Sequence, residues 1–217
     1  MNYEIPLTCQ VKGLNEIYLR YFGYKKNGLF VDVGAYDGIQ HSNTWGLAQA
    51  GWSGICYEPV PEAYAQCIKN HEKHRVINDN HCIGNFAGTV ELTLAGTLST
   101  YNQDQINSEY WSQEYENRKI ITTKIVTLDK SLEGYRFPPS FDVLSLDTEG
   151  SESDVLKAFD ISYWRPKLAI VEAQELHPSE GLRLQAPFIN DFFFLAGYTK
   201  IYCDEINNIY LRGDLSG

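Results

Sequence analysis

The chain has 217 residues, with 18 basic and 28 acidic side chains and a formal net charge of −10. That length suits one domain with a sizeable core, residues 1–217, and the 43% hydrophobic and 21% charged content is that of an ordinary globular protein. An acidic chain with no block of Lys and Arg repels phosphate backbones and anionic lipid, so no nucleic-acid partner is expected. No window reaches the roughly 18 apolar residues of a spanning helix, and residues 1–10 lack the basic start of a signal peptide. Membrane insertion is therefore not expected, and the cytoplasm is the expected compartment. Five scattered cysteines without a CxxC pair favour reduced thiols over a disulfide framework or a thiolate zinc site.

Within the N-terminal segment 1–28, residues 13–24 carry Leu14, Ile17, Tyr18, Tyr21 and Phe22 at helical intervals. Residues 29–33 read as a short strand ending in Gly34, and 42–50 as a helix capped by Ser42 or Asn43. A second strand spans 54–57, Pro61 opens a helix to about residue 70, and a third strand covers 75–78. Segments 89–94 and 120–128 are β-rich and suit a long hairpin. Between them, 95–119 is polar and aromatic and is expected outside the core, as an insertion on the substrate side. The rest reads as strand 141–146, helix 152–159, strand 168–171, helix 187–196 and strands 198–202 and 206–211. Alternating strands and helices predict a doubly wound α/β fold, Rossmann-like, with a parallel sheet covered on both faces. The last two strands are too close for a helical crossover and must be antiparallel. This is the outline of the seven-stranded methyltransferase fold, but periodicity alone does not separate it from other doubly wound folds, and the motifs must do so.

The first strand runs into Asp32-Val33-Gly34-Ala35-Tyr36-Asp37-Gly38. Glycines here let the backbone turn sharply at the carboxyl edge of the sheet, where open α/β sheets bind ligands. Twenty residues beyond Gly38, Glu58 ends the second strand before Pro59, placed to accept two ribose hydroxyls. The spacing Asp32-x-Gly34-x-x-x-Gly38 departs from the G-x-G-x-x-G of dinucleotide folds. A carboxylate in the loop would repel pyrophosphate, whereas it suits a ligand with ammonium and sulfonium charges. S-adenosylmethionine is thus favoured over a nicotinamide cofactor.

These motifs, with Ser42-Asn43-Thr44, Gly51-Trp52-Ser53-Gly54 and Tyr57-Glu58-Pro59-Val60-Pro61, resemble those of FkbM-type methyltransferases. The resemblance extends through Asn80-His81-Cys82-Ile83-Gly84, Val126-Thr127-Leu128-Asp129, Leu144 to Glu152, Arg165-Pro166 and Asn208-Ile209-Tyr210, covering roughly residues 29–211. It implies that Asp32, Gly34, Ala35, Tyr36, Asp37 and Gly38 bind S-adenosylmethionine, with Ser42 and Asn43 near its amino-acid end. Glu58 and Pro59 would take the ribose, and Asn80, His81 and Cys82 would border the adenine. Tyr36 stands where the family often has Asn, and 95–119 carries no clear family signature beyond Ser99.

Methyl transfer requires an acceptor oxygen aligned with the S–CH3 axis, exclusion of water, and a destination for the hydroxyl proton. Asp147, Glu149, Glu152 and Glu172 gather at the ends of the fourth and fifth strands. Asp147 follows a buried run and is expected to serve both as catalytic group and against the cofactor, with Glu149 and Glu172 beside it. The same acids could hold a divalent metal through oxygen ligands. His41 and His177 are further candidate bases. Tyr101, Tyr110, Trp111 and Tyr115 among amides suit stacking on a sugar. The expected activity is O-methylation of a sugar hydroxyl in a glycan or glycosylated small molecule. The alternatives are a binding module without turnover and an oxidoreductase on the same fold.

Overall fold

The structure, a computed structural model, describes residues 3–177 and 180–215. The outermost residues of the expected 1–217 domain lie outside them. In chain order the first half comprises α1 (Leu14–Phe22), β1 (Leu29–Val33), α2 (Trp45–Gln49), β2 (Ser53–Tyr57), α3 (Pro61–His71), β3 (Arg75–Asp79), β4 (Cys82–Gly84) and β5 (Gly88–Thr93). Two single-turn helices follow, α4 (Gln103–Ile106) and α5 (Ser112–Tyr115), then β6 (Ile120–Thr127), α6 (Leu128–Gly134), β7 (Val143–Leu146), α7 (Glu152–Lys157) and α8 (Ile161–Trp164). β8 (Leu168–Glu172), α9 (Ala186–Leu195), β9 (Tyr198–Cys203) and β10 (Asn207–Arg212) complete it.

The main sheet has seven strands in the order β3-β2-β1-β7-β8-β10-β9. Five are parallel, and β10 runs antiparallel to both β8 and β9, as the short link between the last two strands requires. The strand order reverses between β1 and β7, which opens a crevice at their carboxyl ends.

Period-two alternation divides the core into two layers. Val31, Val33, Leu144, Leu146, Ala169 and Val171 face one side, against Val155, Leu156, Ile189 and Phe193. Phe30, Val143, Leu168 and Ile170 face the other, against Leu14, Tyr18, Leu47 and Trp52. Each fully buried aliphatic side chain contributes about 1.5–3 kcal/mol, so burial on both faces fixes the register of the central strands.

The differences from the sequence reading are local. Helix α2 begins at Trp45 rather than residue 42, because the Ser42 hydroxyl accepts from the Thr44 and Trp45 amides and holds the preceding turn. A second sheet, β4-β6-β5, contains the expected hairpin and adds β4, which had not been anticipated. Helices α6 and α8 had not been anticipated either. Segment 95–119 is not wholly outside the core. Tyr115 and Gln105 are each 6% exposed, and the Tyr115 hydroxyl donates to Leu98 O at 2.7 Å.

Candidate active site

A cleft opens beyond β1 and β7. Its floor is the β1 loop, where Gly34 sits at φ 88° directly over the backbone of Asp147. A Cβ at Gly34 would fall 1.7 Å from Asp147 O, so no side chain fits there. The Gly34 and Ala35 amides both donate to Tyr57 O at 3.0 Å, and the Tyr36 amide donates to Glu58 Oε2 at 2.8 Å. Glu58 Oε1 accepts the Val60 amide at 2.8 Å. Glu58 thus pins the loop through one oxygen and the start of α3 through the other, leaving further lone pairs toward the cleft. Burial pushes Glu58 up to about 7 against the pull of these amides. Burial also lifts Asp32 to about 6, although Thr44 donates its hydroxyl to Asp32 at 2.6 Å.

Asp32, Gly34, Ala35, Tyr36, Ser42, Asn43, Glu58, Pro59, His81 and Cys82 all line the cleft. Asp37, Gly38 and Asn80 do not. The Asp37 carboxylate caps its own turn, accepting the Ile39 and Gln40 amides at 2.8 and 2.7 Å. Gly38 packs against α3, and Asn80 is exposed. Asn43 donates to Ser145 Oγ at 3.2 Å. Asp79 had not been anticipated. It accepts from the His81 amide and from His81 Nδ1 at 2.8 and 2.6 Å, and from the Tyr135 hydroxyl at 2.8 Å, which sets the imidazole at the cleft's rim. The Asp-x-His spacing of an Asx turn was the available signal.

At the opposite end stand Asp147 and Glu149, with Glu152 and Glu172 behind them. Ligand oxygens of Asp147, Glu152 and Glu172 lie within 4.8 Å of one another. Glu152 is engaged: one oxygen takes the Thr148 amide and hydroxyl and the Gly150 amide, and the other accepts Gln185. Glu172 accepts Gln174 through Oε1 at 2.7 Å, while its buried Oε2 has no hydrogen-bond partner among the described residues. Burial raises Asp147, against the pull of the neighbouring Glu172 and, less strongly, of His41. Burial and then the neighbouring carboxylates push Glu149 and Glu172 well above the carboxylate range, and Glu152 rises to about 7. No Lys or Arg is among the described residues lining the cleft. Its carboxylates suit a cationic ligand.

His41 lines the cleft, but its ring is occupied, with Nδ1 2.8 Å from Thr8 O and Nε2 3.1 Å from Gln40 Nε2. His177 lies edge-on to Tyr110 at 5.0 Å, which in turn meets Trp111 at 4.7 Å. The insertion roofs the cleft with residues 96–101, and Asn102 ties it down by donating to Gly150 O.

The sequence profile of the methyltransferase FkbM domain matches residues 32–200. No curated protein matches the chain. Among solved structures, a Klebsiella pneumoniae protein assigned as an O-methyltransferase aligns at 12% identity over 96% of this chain and 83% of its own, with TM-score 0.52. A Staphylococcus aureus protein assigned as a caffeoyl-CoA O-methyltransferase aligns at 11% identity over 97% and 87%, with TM-score 0.50. The T. thermophilus 16S rRNA methyltransferase in complex with AdoMet and guanosine aligns at 11% over 92% and 41%, with TM-score 0.47. At these identities the likeness is one of fold. The family match spans most of the chain, and the protein therefore belongs to the FkbM methyltransferases and is an S-adenosylmethionine-dependent enzyme.

Proposed function

We propose that the enzyme methylates a hydroxyl of a neutral, polyhydroxylated acceptor, a sugar in a glycan or in a glycosylated small molecule. The observation that carries this reading is the acceptor end of the cleft. Four acids converge there and, among the described residues, the buried Glu172 Oε2 lacks a partner and no Lys or Arg lines the cleft. A phosphate-bearing acceptor would meet repulsion, whereas a hydroxyl donates to a carboxylate without a charge penalty. Tyr101, the aromatic residue of the insertion that lines the cleft, offers a ring for the C–H face of a sugar.

S-adenosylmethionine supplies an activated methyl group on a sulfonium. The residues fit it. Glu58 faces the cleft with lone pairs for ribose hydroxyls, the β1 loop admits close backbone approach, and the surrounding carboxylates complement the cation. Asp32, Ser42 and Asn43 would border the amino-acid end, and His81 and Cys82 the adenine. Asp147, at the floor, would accept the hydroxyl proton, its raised pKa bringing it nearer the working range of a general base. Glu172 and Glu149 would tune it. A divalent cation held by Asp147, Glu152 and Glu172 is the second mechanism, favoured by the orphan oxygen of Glu172. The free cysteines agree with a reducing, cytoplasmic setting.

The test is methyl transfer from S-adenosylmethionine to a panel of neutral saccharides, nucleotide sugars, glycosides and RNA, with products read by mass spectrometry. The reading expects methylated saccharide oxygen. Transfer confined to RNA, or to nitrogen, would overturn it.

A further inference from the structure

A second cluster lies below the β1 loop, outside the cleft. Cys56 of β2 and Cys67 and His71 of α3 are 1%, 0% and 2% exposed, and their ligand atoms all lie within 4.8 Å of one another. Cys67 and His71 are four apart on α3 and so share one face, with Cys67 Sγ 3.4 Å from His71 Nδ1. Cys56 pairs with Asp32 across β1 and β2, which places its thiol under that face.

We propose that Cys56, Cys67 and His71 form a buried site for a thiolate-binding metal ion of the zinc class. Two cysteines and an imidazole are the ligand types zinc prefers, and the spacing accommodates Zn–S bonds of about 2.3 Å and Zn–N bonds of about 2.0–2.1 Å. Asn78 Oδ1, 3.1 Å from Cys67 Sγ, places an oxygen at the same cluster. The imidazole needs a better partner than it has. Among the described residues, the Cys67 sulfur is the hydrogen-bond partner of one ring nitrogen, and the buried Nε2 has none. Its other neighbours are the rings of Trp45 and His74, both at 5.7 Å. A buried ring nitrogen met by a thiol is weakly satisfied, and coordination through Nδ1, the nitrogen beside Cys67, would replace that contact with a metal bond. Binding releases both thiol protons to solvent, and two thiolates with a neutral imidazole balance a divalent charge, as a buried site demands.

The site touches the cofactor loop. Gly38, at φ 80°, has no space for a Cβ, which would fall 2.5 Å from His71 Cε1 and 3.1 Å from Cys67 Sγ. Asn70 of α3 donates to Asp37 O at 2.8 Å. A metal here would stitch β2 to α3 beneath that loop. This assignment is independent of the acceptor chemistry.

The experiment is cobalt titration of the full chain, read by the thiolate-to-cobalt charge-transfer band, with zinc content measured on protein grown in zinc-supplemented medium. One bound equivalent is expected, with a charge-transfer band that zinc displaces. Band and zinc should both be lost in Cys67→Ser and in His71→Asn, and both should persist in Cys203→Ser, which lies outside the cluster. If Cys67→Ser does not fold, Cys56→Ala and the zinc-dependent rise in Tm of the wild type, reversed by a chelator, serve instead. A wild-type protein with no zinc and no charge-transfer band would overturn the proposal, and so would a band that survives loss of Cys56 or Cys67.

Discussion

The two ends of the cleft hold their carboxylates differently. At the Glu58 end each oxygen has a fixed amide partner, Tyr36 for one and Val60 for the other, so the carboxylate is part of the loop's architecture. At the Asp147 end the acids face one another, and Glu172 keeps a buried oxygen with no hydrogen-bond partner among the described residues. A satisfied carboxylate holds a shape. An unsatisfied one retains chemistry to do, because a proton, a hydroxyl or a cation must complete it. On this contrast rests our proposal that the first end positions the ligand and the second carries the reaction.

The largest effect expected from breaking that contrast is at Asp147. Asp147→Asn should lower kcat by about 10²–10⁴-fold, the scale of general acid–base catalysis, while S-adenosylmethionine binds as before. Wild-type activity that survives EDTA selects the proton-acceptor version, and activity lost to EDTA and restored by magnesium selects the metal version. Unchanged kcat in Asp147→Asn would contradict both.

At the other end, Glu58→Ala should weaken S-adenosylhomocysteine binding by roughly 1.5–3 kcal/mol, measured by calorimetry, as removal of hydrogen bonds to a charged group does. It should also lower Tm, since the Tyr36 and Val60 amides lose their acceptor. An unchanged affinity would remove Glu58 from the ribose site.

The roof should respond in a third way. Tyr101→Ala is expected to raise the acceptor KM severalfold and leave cofactor affinity intact, because Tyr101 lines the cleft from the roof segment. A loss of cofactor affinity would show that the insertion orders the whole cleft.

The smallest effect is on stability against pH. Asp32, Glu58 and Glu152 sit at about 6, 7 and 7 in the folded chain, above their ordinary values of 3.8, 4.5 and 4.5. The folded state therefore holds more protons than the unfolded one between about pH 4 and 7, and stability is lost as pH rises through that window. Asp142, lowered by Lys167 and Lys25 in spite of its burial, acts in the opposite sense only below that window. Tm of the ligand-free protein should fall between about pH 5 and pH 8. A flat or rising Tm would mean that cations already compensate the cleft.

Much of this was legible in the sequence because it is written in local pattern. The apolar runs of β1, β7 and β8 are buried on both faces, and the loop of Gly34 with the acid at Glu58 marks a crevice. What was missed depends on distant partners. Strand β4 has three residues, too few for any period, and exists because β6 pairs with it. Helix α6 starts where β6 stops, with Thr127 as its cap, so one apolar run serves both elements. The role of Asp79 rests on Tyr135, 56 residues away. Cys56 and Cys67 look scattered along the chain and meet only when α3 folds onto β2.

The contrast between the two ends is tested most directly by the crystal structure of the S-adenosylhomocysteine complex. The account predicts ribose hydroxyls within hydrogen-bond distance of the Glu58 carboxylate, with the sulfur open toward Asp147. A ligand lying in the reverse sense, or with its sulfur turned away from Asp147, would contradict it.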